Sequence, residues 1–246
     1  MLTDSLLLSD IQTTDLIYYD PDIETECLKF CDDRDIDCLP SLDDPRKYFK
    51  ASEKTLKDLP LEQIADSRTP IFDPILIKRF ITYKLLFVNT NNQLSGVVHF
   101  SDFNKPVVHS YLYNVISAYE RSLRSFLRKK GLTDQQMLQV LNIKEKETRI
   151  KTFGKAKPLS FQWCGLNDLI QFTNKEGGIK VRDDMNRLRN AVMHSHELVY
   201  KDDPDSDLYI YTVESFIEFT EFVQDLLRDF KRVSNRIALY HPQETE

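Results

Sequence analysis

Gly96-Val97-Val98-His99-Phe100-Ser101-Asp102-Phe103-Asn104-Lys105-Pro106-Val107-Val108-His109 is the stretch in which the chain changes its pattern. Before it, Leu94–Phe100 reads as a β-strand, and the turn Asn89-Thr90-Asn91-Asn92 pairs that strand with Lys84-Leu85-Leu86-Phe87-Val88 as a hairpin. From Lys105 onward the period is helical. Pro106 suits a first helical turn, and Val108, Leu112, Val115, Ile116, Tyr119, Leu123, Phe126 and Leu127 recur at three- and four-residue spacing as far as Lys130, where Gly131 stops them. The change predicts an α+β chain of two domains, an α/β module over 1–104 and an all-α bundle over 105–246. At 246 residues the chain is long enough for each to bury its own core.

Working back from the boundary, the first hundred residues read as two imperfect copies of strand, helix, strand. In the first, Asp20-Pro21-Asp22 leads into a helix over Ile23–Asp33, followed by the alternating Ile36-Asp37-Cys38-Leu39-Pro40. In the second, Phe72-Asp73-Pro74 leads into Ile75–Thr82 and then the hairpin. Working forward, Thr133-Asp134 caps a second bundle helix that ends near Lys146, and Thr152–Trp163 is a connection. Leu166–Phe172 is a third helix, Gly177-Gly178 a break, Val181–Met193 a fourth and Val213–Ile237 a fifth, with apolar stripes that fit a bundle. Phe161 and Trp163 lie beside the basic loop Lys151–Lys157, where a base could stack, although a Trp near a helix start also serves as a core plug.

Charge follows the same division. Residues 1–104 carry 11 Lys+Arg against 19 Asp+Glu, a balance of −8; 105–200 carry 17 against 9, or +8; the last 46 carry 5 against 11, or −6. A basic centre in an acidic protein is what a polyanion-binding face requires, while solvated helix faces give the same count, so charge alone leaves both open. No run of about eighteen apolar residues is present, and Met1-Leu2-Thr3-Asp4-Ser5 lacks the basic start of a secretory signal, so the expectation is a cytoplasmic protein with no membrane contact. Cys27, Cys31, Cys38 and Cys164 form no paired knuckles. Cys27 and Cys31, four apart on a helix, could supply half a metal site, but buried thiols more commonly act as small hydrophobes, and no metal is expected.

The chemistry concentrates in Arg189-Asn190-Ala191-Val192-Met193-His194, at the end of a helix over Met185–Met193. A guanidinium is permanently charged and matches a phosphate bidentately, and imidazole titrates near neutrality. RNA carries its own nucleophile in the 2′-hydroxyl, so an enzyme need only move protons and stabilise the developing charge. Arg189 is therefore a candidate phosphate clamp, His194 a candidate general acid or base, and Asn190, four residues before His194, a candidate orienting group. Arg189 and His194 stand five apart, about 140° around a regular helix, which fits one site if the helix unwinds near His194 or if the two serve opposite subunits. The alternative is structural: Arg189 pairs with a carboxylate such as Asp184, and Asn190 and His194 cap the helix end, where the dipole favours a cation. His196 offers a second imidazole. His194-Ser195-His196 also hints at a metal, but no cluster at fitting spacing completes such a site.

An arginine, a polar residue, and a histidine after a four-residue spacer, late in a helical bundle, resemble the HEPN family (higher eukaryotes and prokaryotes nucleotide-binding) over Lys105 to Tyr240. That resemblance implies a metal-independent endoribonuclease, often a toxin or defence effector, acting on RNA as a homodimer whose two motifs form one cleft, with an antitoxin protein as a further partner. Leu7 to Asn104 resembles a tandem pair of cystathionine-β-synthase-type (CBS) repeats, whose repeat ends on a Gly-apolar-apolar strand and a Thr/Ser-x-x-Asp turn, as in Gly96-Val97-Val98-His99-Phe100-Ser101-Asp102. In such repeats the Asp carboxylate accepts from ribose hydroxyls of an adenine nucleotide. Here Asp102 is retained, His99 stands at the hydroxyl position, and Ser101 substitutes only if the turn shifts. In the first copy Pro45-Arg46-Lys47-Tyr48-Phe49 stands where the glycine strand belongs. Catalysis needs no cofactor on this reading; an adenine nucleotide would be a regulator. The competing expectation is a non-catalytic RNA- or partner-binding regulator that senses the nucleotide.

Overall fold

A computed structural model of the chain describes residues 5–34, 36–133, 136, 164–202, 209–210 and 212–240. The architecture is mixed α+β. Two compact units share the chain, Met1–Val108 with Val199–Ile217, and His109–Leu198 with Glu218–Glu246.

The first unit is laid down twice in a related order. After a short helix α1 (Leu8–Ile11), Asp20 accepts the Asp22 N–H at 2.9 Å and Pro21 opens a 3₁₀ turn that runs into α2 (Glu24–Asp33). The antiparallel sheet β1 (Cys38–Pro40), β2 (Lys47–Lys50) and β3 (Thr55–Asp58) follows. Tyr19, just before α2, makes a parallel bridge with Ser41, just after β1. The second pass repeats that order. β4 (Ile64–Asp66) leads to α3 (Pro74–Tyr83), which returns to β5 (Leu85–Thr90) parallel to β4, and β6 (Gln93–His99) folds back antiparallel. Asp73 caps α3 by accepting from Ile75 and Leu76 N–H at 2.9 and 3.0 Å. The Arg79 guanidinium donates to the carbonyls of Glu62 and Ile64, tying α3 to the start of β4.

The expected hairpin is present. Thr90 pairs with Gln93, leaving a two-residue loop of Asn91 and Asn92 at φ +53° and +65°, the left-handed pair that matches strand twist and that asparagine tolerates better than most residues. Central strand β5 buries Leu86, Phe87 and Val88 in succession, as a strand covered on both faces does. The stretch Pro45–Phe49 ends in the middle strand β2 of the first sheet, and Phe49 stacks on Tyr19 with ring centroids 3.9 Å apart and planes 6° apart. Cys27 and Cys31 sit in that cluster as buried apolar groups, and desolvation pushes the Cys31 thiol above its ordinary pKa.

The expectation that everything after Lys105 is helical needs correcting. β7 (Lys201–Asp202) and β8 (Tyr209–Ile210) form an antiparallel ladder, and their stretch, Val199–Ile217, belongs to the first unit. Asn104 supports that return: its amide donates to the Val199 carbonyl at 3.1 Å and its carbonyl accepts the Val199 N–H at 2.9 Å. Phe216 then packs among Phe80, Phe100 and Phe103 at centroid distances of 5.0 to 5.9 Å.

Among the described residues the second unit is helical. It comprises α4 (Pro106–Lys129) from His109 onward, α5 (Leu166–Phe172), α6 (Asn186–Met193) and α7 (Val213–Leu239) from Glu218 onward. The predicted stripe of α4 is buried, and Gly131 at φ +78° closes the helix with the Leu132 N–H on the Leu127 carbonyl at 3.1 Å. α5 has its expected bounds and runs on into a π-helical turn, Thr173–Gly177, whose end is held by the Lys130 ammonium on the Glu176 and Gly177 carbonyls at 2.8 and 2.6 Å. The fourth helix starts later than Val181, because Arg182 is drawn away from it. Its N–H reaches Asp229 at 2.8 Å, its guanidinium takes Asp184 at 2.6 Å and Asp225 at 2.9 Å, and its Cζ lies 3.5 Å from the Phe222 ring centroid. The predicted helix from Thr133 to Lys146, the connection Thr152–Trp163 and the aromatics Phe161 and Trp163 lie outside the described residues.

One glycine has a steric reason to be there. Val97 and Thr13 exchange backbone hydrogen bonds at 2.8 and 3.0 Å, which brings Thr13 so close that a Cβ on Gly96 would lie 2.8 Å from the Thr13 carbonyl oxygen and 2.7 Å from Gln12 Oε1. The Gln12 side chain can swing aside, whereas the bridged carbonyl cannot. Gly96→Ala is expected to cost about 1–3 kcal/mol, read as a lowered melting temperature; an unchanged melt would mean that the bridge is not holding the strand.

Candidate functional site

α6 carries Arg189 and Asn190, and the chain leaves the helix at His194, as the sequence predicted. His194 caps the helix at φ −101°, ψ 7°, its N–H bonding the Asn190 carbonyl at 3.0 Å. Ser195 then takes φ +53°, and the His196 N–H closes on the Ala191 carbonyl at 2.9 Å. This is the usual left-handed helix end, but built on serine where glycine is normal, at a cost of roughly 1 kcal/mol. His194 thus keeps the i→i−4 bond of a regular helix, so its offset of about 140° from Arg189 persists, and the chain turns away only at Ser195. The His194 side chain is exposed, and its ring centroid lies 5.7 Å from that of His196.

Arg189 does not pair with Asp184, which belongs to Arg182. Its partner is Glu120 on α4, with Arg189 Nε 3.4 Å from Glu120 Oε1. The other oxygen, Oε2, takes Arg124 at 3.2 Å, and Arg124 also donates to the Cys164 carbonyl at 2.8 Å. One carboxylate, 15% exposed, thus bridges two guanidinium groups, and the Arg189 side chain keeps 34% of its surface open. Asn190 Oδ1 accepts from Arg189 Nη1 at 3.3 Å, so the amide turns toward the arginine rather than toward His194. The geometry brings Arg189, Asn190 and Glu120 together and sets His194 one helical turn on.

Four residues of this neighbourhood escaped the sequence reading: Glu120, Arg124, His109 and Glu197. The i,i+4 spacing of Glu120 and Arg124, on the polar flank of the α4 stripe, was the available signal. His109, on α4, hydrogen-bonds the backbone of Val192 in the motif; burial outweighs that bond and the nearby Glu197 charge, and holds its imidazole below the usual histidine range.

The nucleotide candidates lie in the first unit. The ring of His99 makes a 2.8 Å bond from Nδ1 to Ser101 Oγ. Asp102 Oδ2 accepts the His99 N–H at 2.7 Å, and Oδ1 holds Lys105 at 2.9 Å. Lys105 in turn donates to the Ile11 carbonyl at 2.5 Å. Both carboxylate oxygens of Asp102 thus carry internal donors, and the pair closes the turn after β6. Among the described residues no three His, Cys, Asp or Glu side chains cluster as metal ligands, and no helix is long and apolar enough to cross a membrane.

Compared with known proteins, the chain matches no family model, no curated sequence and no solved structure.

Burial depresses both His99 and His109 below the ordinary value of 6.5. Between that value and the folded pKa the unfolded chain binds protons that the folded chain refuses, so stability falls as pH drops below about 6.5. The melting temperature is expected to decline over that window, ahead of carboxylate protonation, and His99→Gln to flatten the decline. A wild-type melt that stays level from pH 7.5 to 5.5 would contradict it.

Proposed function

We propose that the second unit is a metal-independent endoribonuclease of HEPN type, with a toxin or defence role, and that the first unit is a CBS-like module that regulates it. The observation that carries the reading is the end of α6 at His194, which leaves an exposed imidazole one helical turn beyond a partly open arginine. In this mechanism Arg189 exchanges Glu120 for the scissile phosphate, and Asn190 steers the guanidinium or a phosphate oxygen. His194 removes the 2′-hydroxyl proton as the oxygen attacks phosphorus, or returns a proton to the departing 5′-oxygen, leaving a 2′,3′-cyclic phosphate. Two chains, each supplying one motif, would complete acid and base in a shared cleft; an antitoxin protein would be the natural restraint. The alternative, a regulator that senses an adenine nucleotide and performs no chemistry, is weaker because Asp102 is already engaged on both oxygens.

Incubation of the purified protein with total RNA in EDTA tests the proposal. Cleavage to cyclic-phosphate ends is expected, falling about 10²-fold or more in Arg189→Ala and in His194→Ala that fold normally. A wild type that leaves RNA intact, or variants that cut as well as it does, would sink the reading.

A further inference from the structure

The peptide two residues before His194 is held from outside its own helix. A helix leaves its last carbonyls without intrahelical partners. Val192 is in that last turn, and its carbonyl takes the His194 N–H and, at 3.4 Å, the Ser195 N–H. The imidazole of His109 bonds the same residue's backbone. Nδ1 of His109 is buried with no hydrogen-bond partner among the described residues, which leaves Nε2–H as the donor and the Val192 carbonyl as the acceptor. Glu197, just beyond the turn, has a buried Oε2 that also has no partner among the described residues, and its charge acts on His109. Buried polar atoms are almost always satisfied, so an orphaned base and an orphaned carboxylate oxygen that act on each other call for a reason.

Resting on the nuclease reading above, we infer that His109 is a positioning residue for the proton carrier His194: its Nε2–H fixes the Val192 carbonyl, and with it the direction in which the chain leaves α6. The bond comes from a different helix, so it sets the helix end against α4, on which Glu120 holds Arg189. Both members of the proposed pair are thereby referred to one rigid element, Arg189 through Glu120 and His194 through His109. The empty Nδ1 position is part of the same device. A proton taken up there makes a new donor, and Glu197, three residues after His194, is the charged group that acts on it. Glu197, and the turn with it, would then be drawn toward His109, and the setting of His194 would change with the protonation of a residue that never touches RNA.

Nitrogen-15 NMR of the histidine rings in the wild type reads the first claim without any substitution: at pH 7.5 His109 is expected as the neutral Nε2–H tautomer, and an Nδ1–H tautomer overturns it. The second claim is read by amide exchange. His109→Ala is expected to speed exchange of the His194, Ser195 and His196 amides about tenfold while sparing those of α7, and His109→Gln, which keeps a donor near the Nε2 position, is expected to restore most of it. Unchanged exchange in His109→Ala, or no rescue by glutamine, overturns the positioning role. In RNA cleavage, His109→Gln is expected to keep most of the rate at pH 7.5 and to shift the acid limb of the pH profile, and an acid limb identical to that of the wild type overturns the proton-linked part. Should the wild type cleave no RNA, the nuclease proposal falls, while the tautomer and exchange readings still decide the role of His109.

Discussion

A single carboxylate, that of Glu120, sets the second unit's candidate chemistry. It faces two guanidinium groups and is largely shielded from water, with Arg189 at 3.4 Å and Arg124 at 3.2 Å. A carboxylate so placed would be poorly tolerated without cations, and either arginine would be misplaced without it, because removing one member of a shielded ion pair leaves the other uncompensated. The long side chain of Arg189 would otherwise sample many rotamers. Glu120 confines it to one region while leaving a third of its surface open. A phosphodiester, like a carboxylate, offers a guanidinium two acceptor oxygens sharing one negative charge, so the arrangement that orders Arg189 is also one that a phosphodiester can replace.

Much of this could be read from the chain, and the exceptions share a physical cause. The stripe of α4, the bounds of α5, the Asn91-Asn92 hairpin and the end of α6 at Met193 all follow from local rules of period, capping and left-handed turn residues. The short strands β3 and β4 were not legible. Thr55-Leu56-Lys57-Asp58 is exposed on an outer strand of its sheet and shows no apolar alternation, and Ile64-Ala65-Asp66 is held by its parallel neighbour rather than by its own pattern. The ladder of β7 and β8 has two residues a strand, below the length at which a period exists. The site divides in the same way. Arg189, Asn190 and His194 form a local motif, whereas Glu120 and His109 reach it only through tertiary packing.

The same packing changes what the positive middle of the sequence means. Its net charge of +8 suggested a basic face, yet Arg124, Arg182 and Arg189 each face a carboxylate, and the Arg182 guanidinium takes two. These cations organise the helices more than they project a field. Arg121, the residue after Glu120, and Arg128, about two turns beyond it, remain exposed on α4.

The helix end at His194 then links strain to placement. Serine at φ +53° costs what glycine there would not, so the turn is kept closed by what surrounds it: the His196 N–H on Ala191, the His194 N–H on Asn190 and the His109 ring on Val192. Three restraints on one short turn over-determine its course. The regular course of α6 carries His194 about 140° from Arg189, and the chain departs from it only at Ser195. The left-handed residue ends the helix one position after the imidazole, so His194 sits on the final turn, with no further helix to hold it. Its direction is therefore set by hydrogen bonds that can be altered one at a time, and the bond from His109 is the one among these three that comes from outside the motif's own segment.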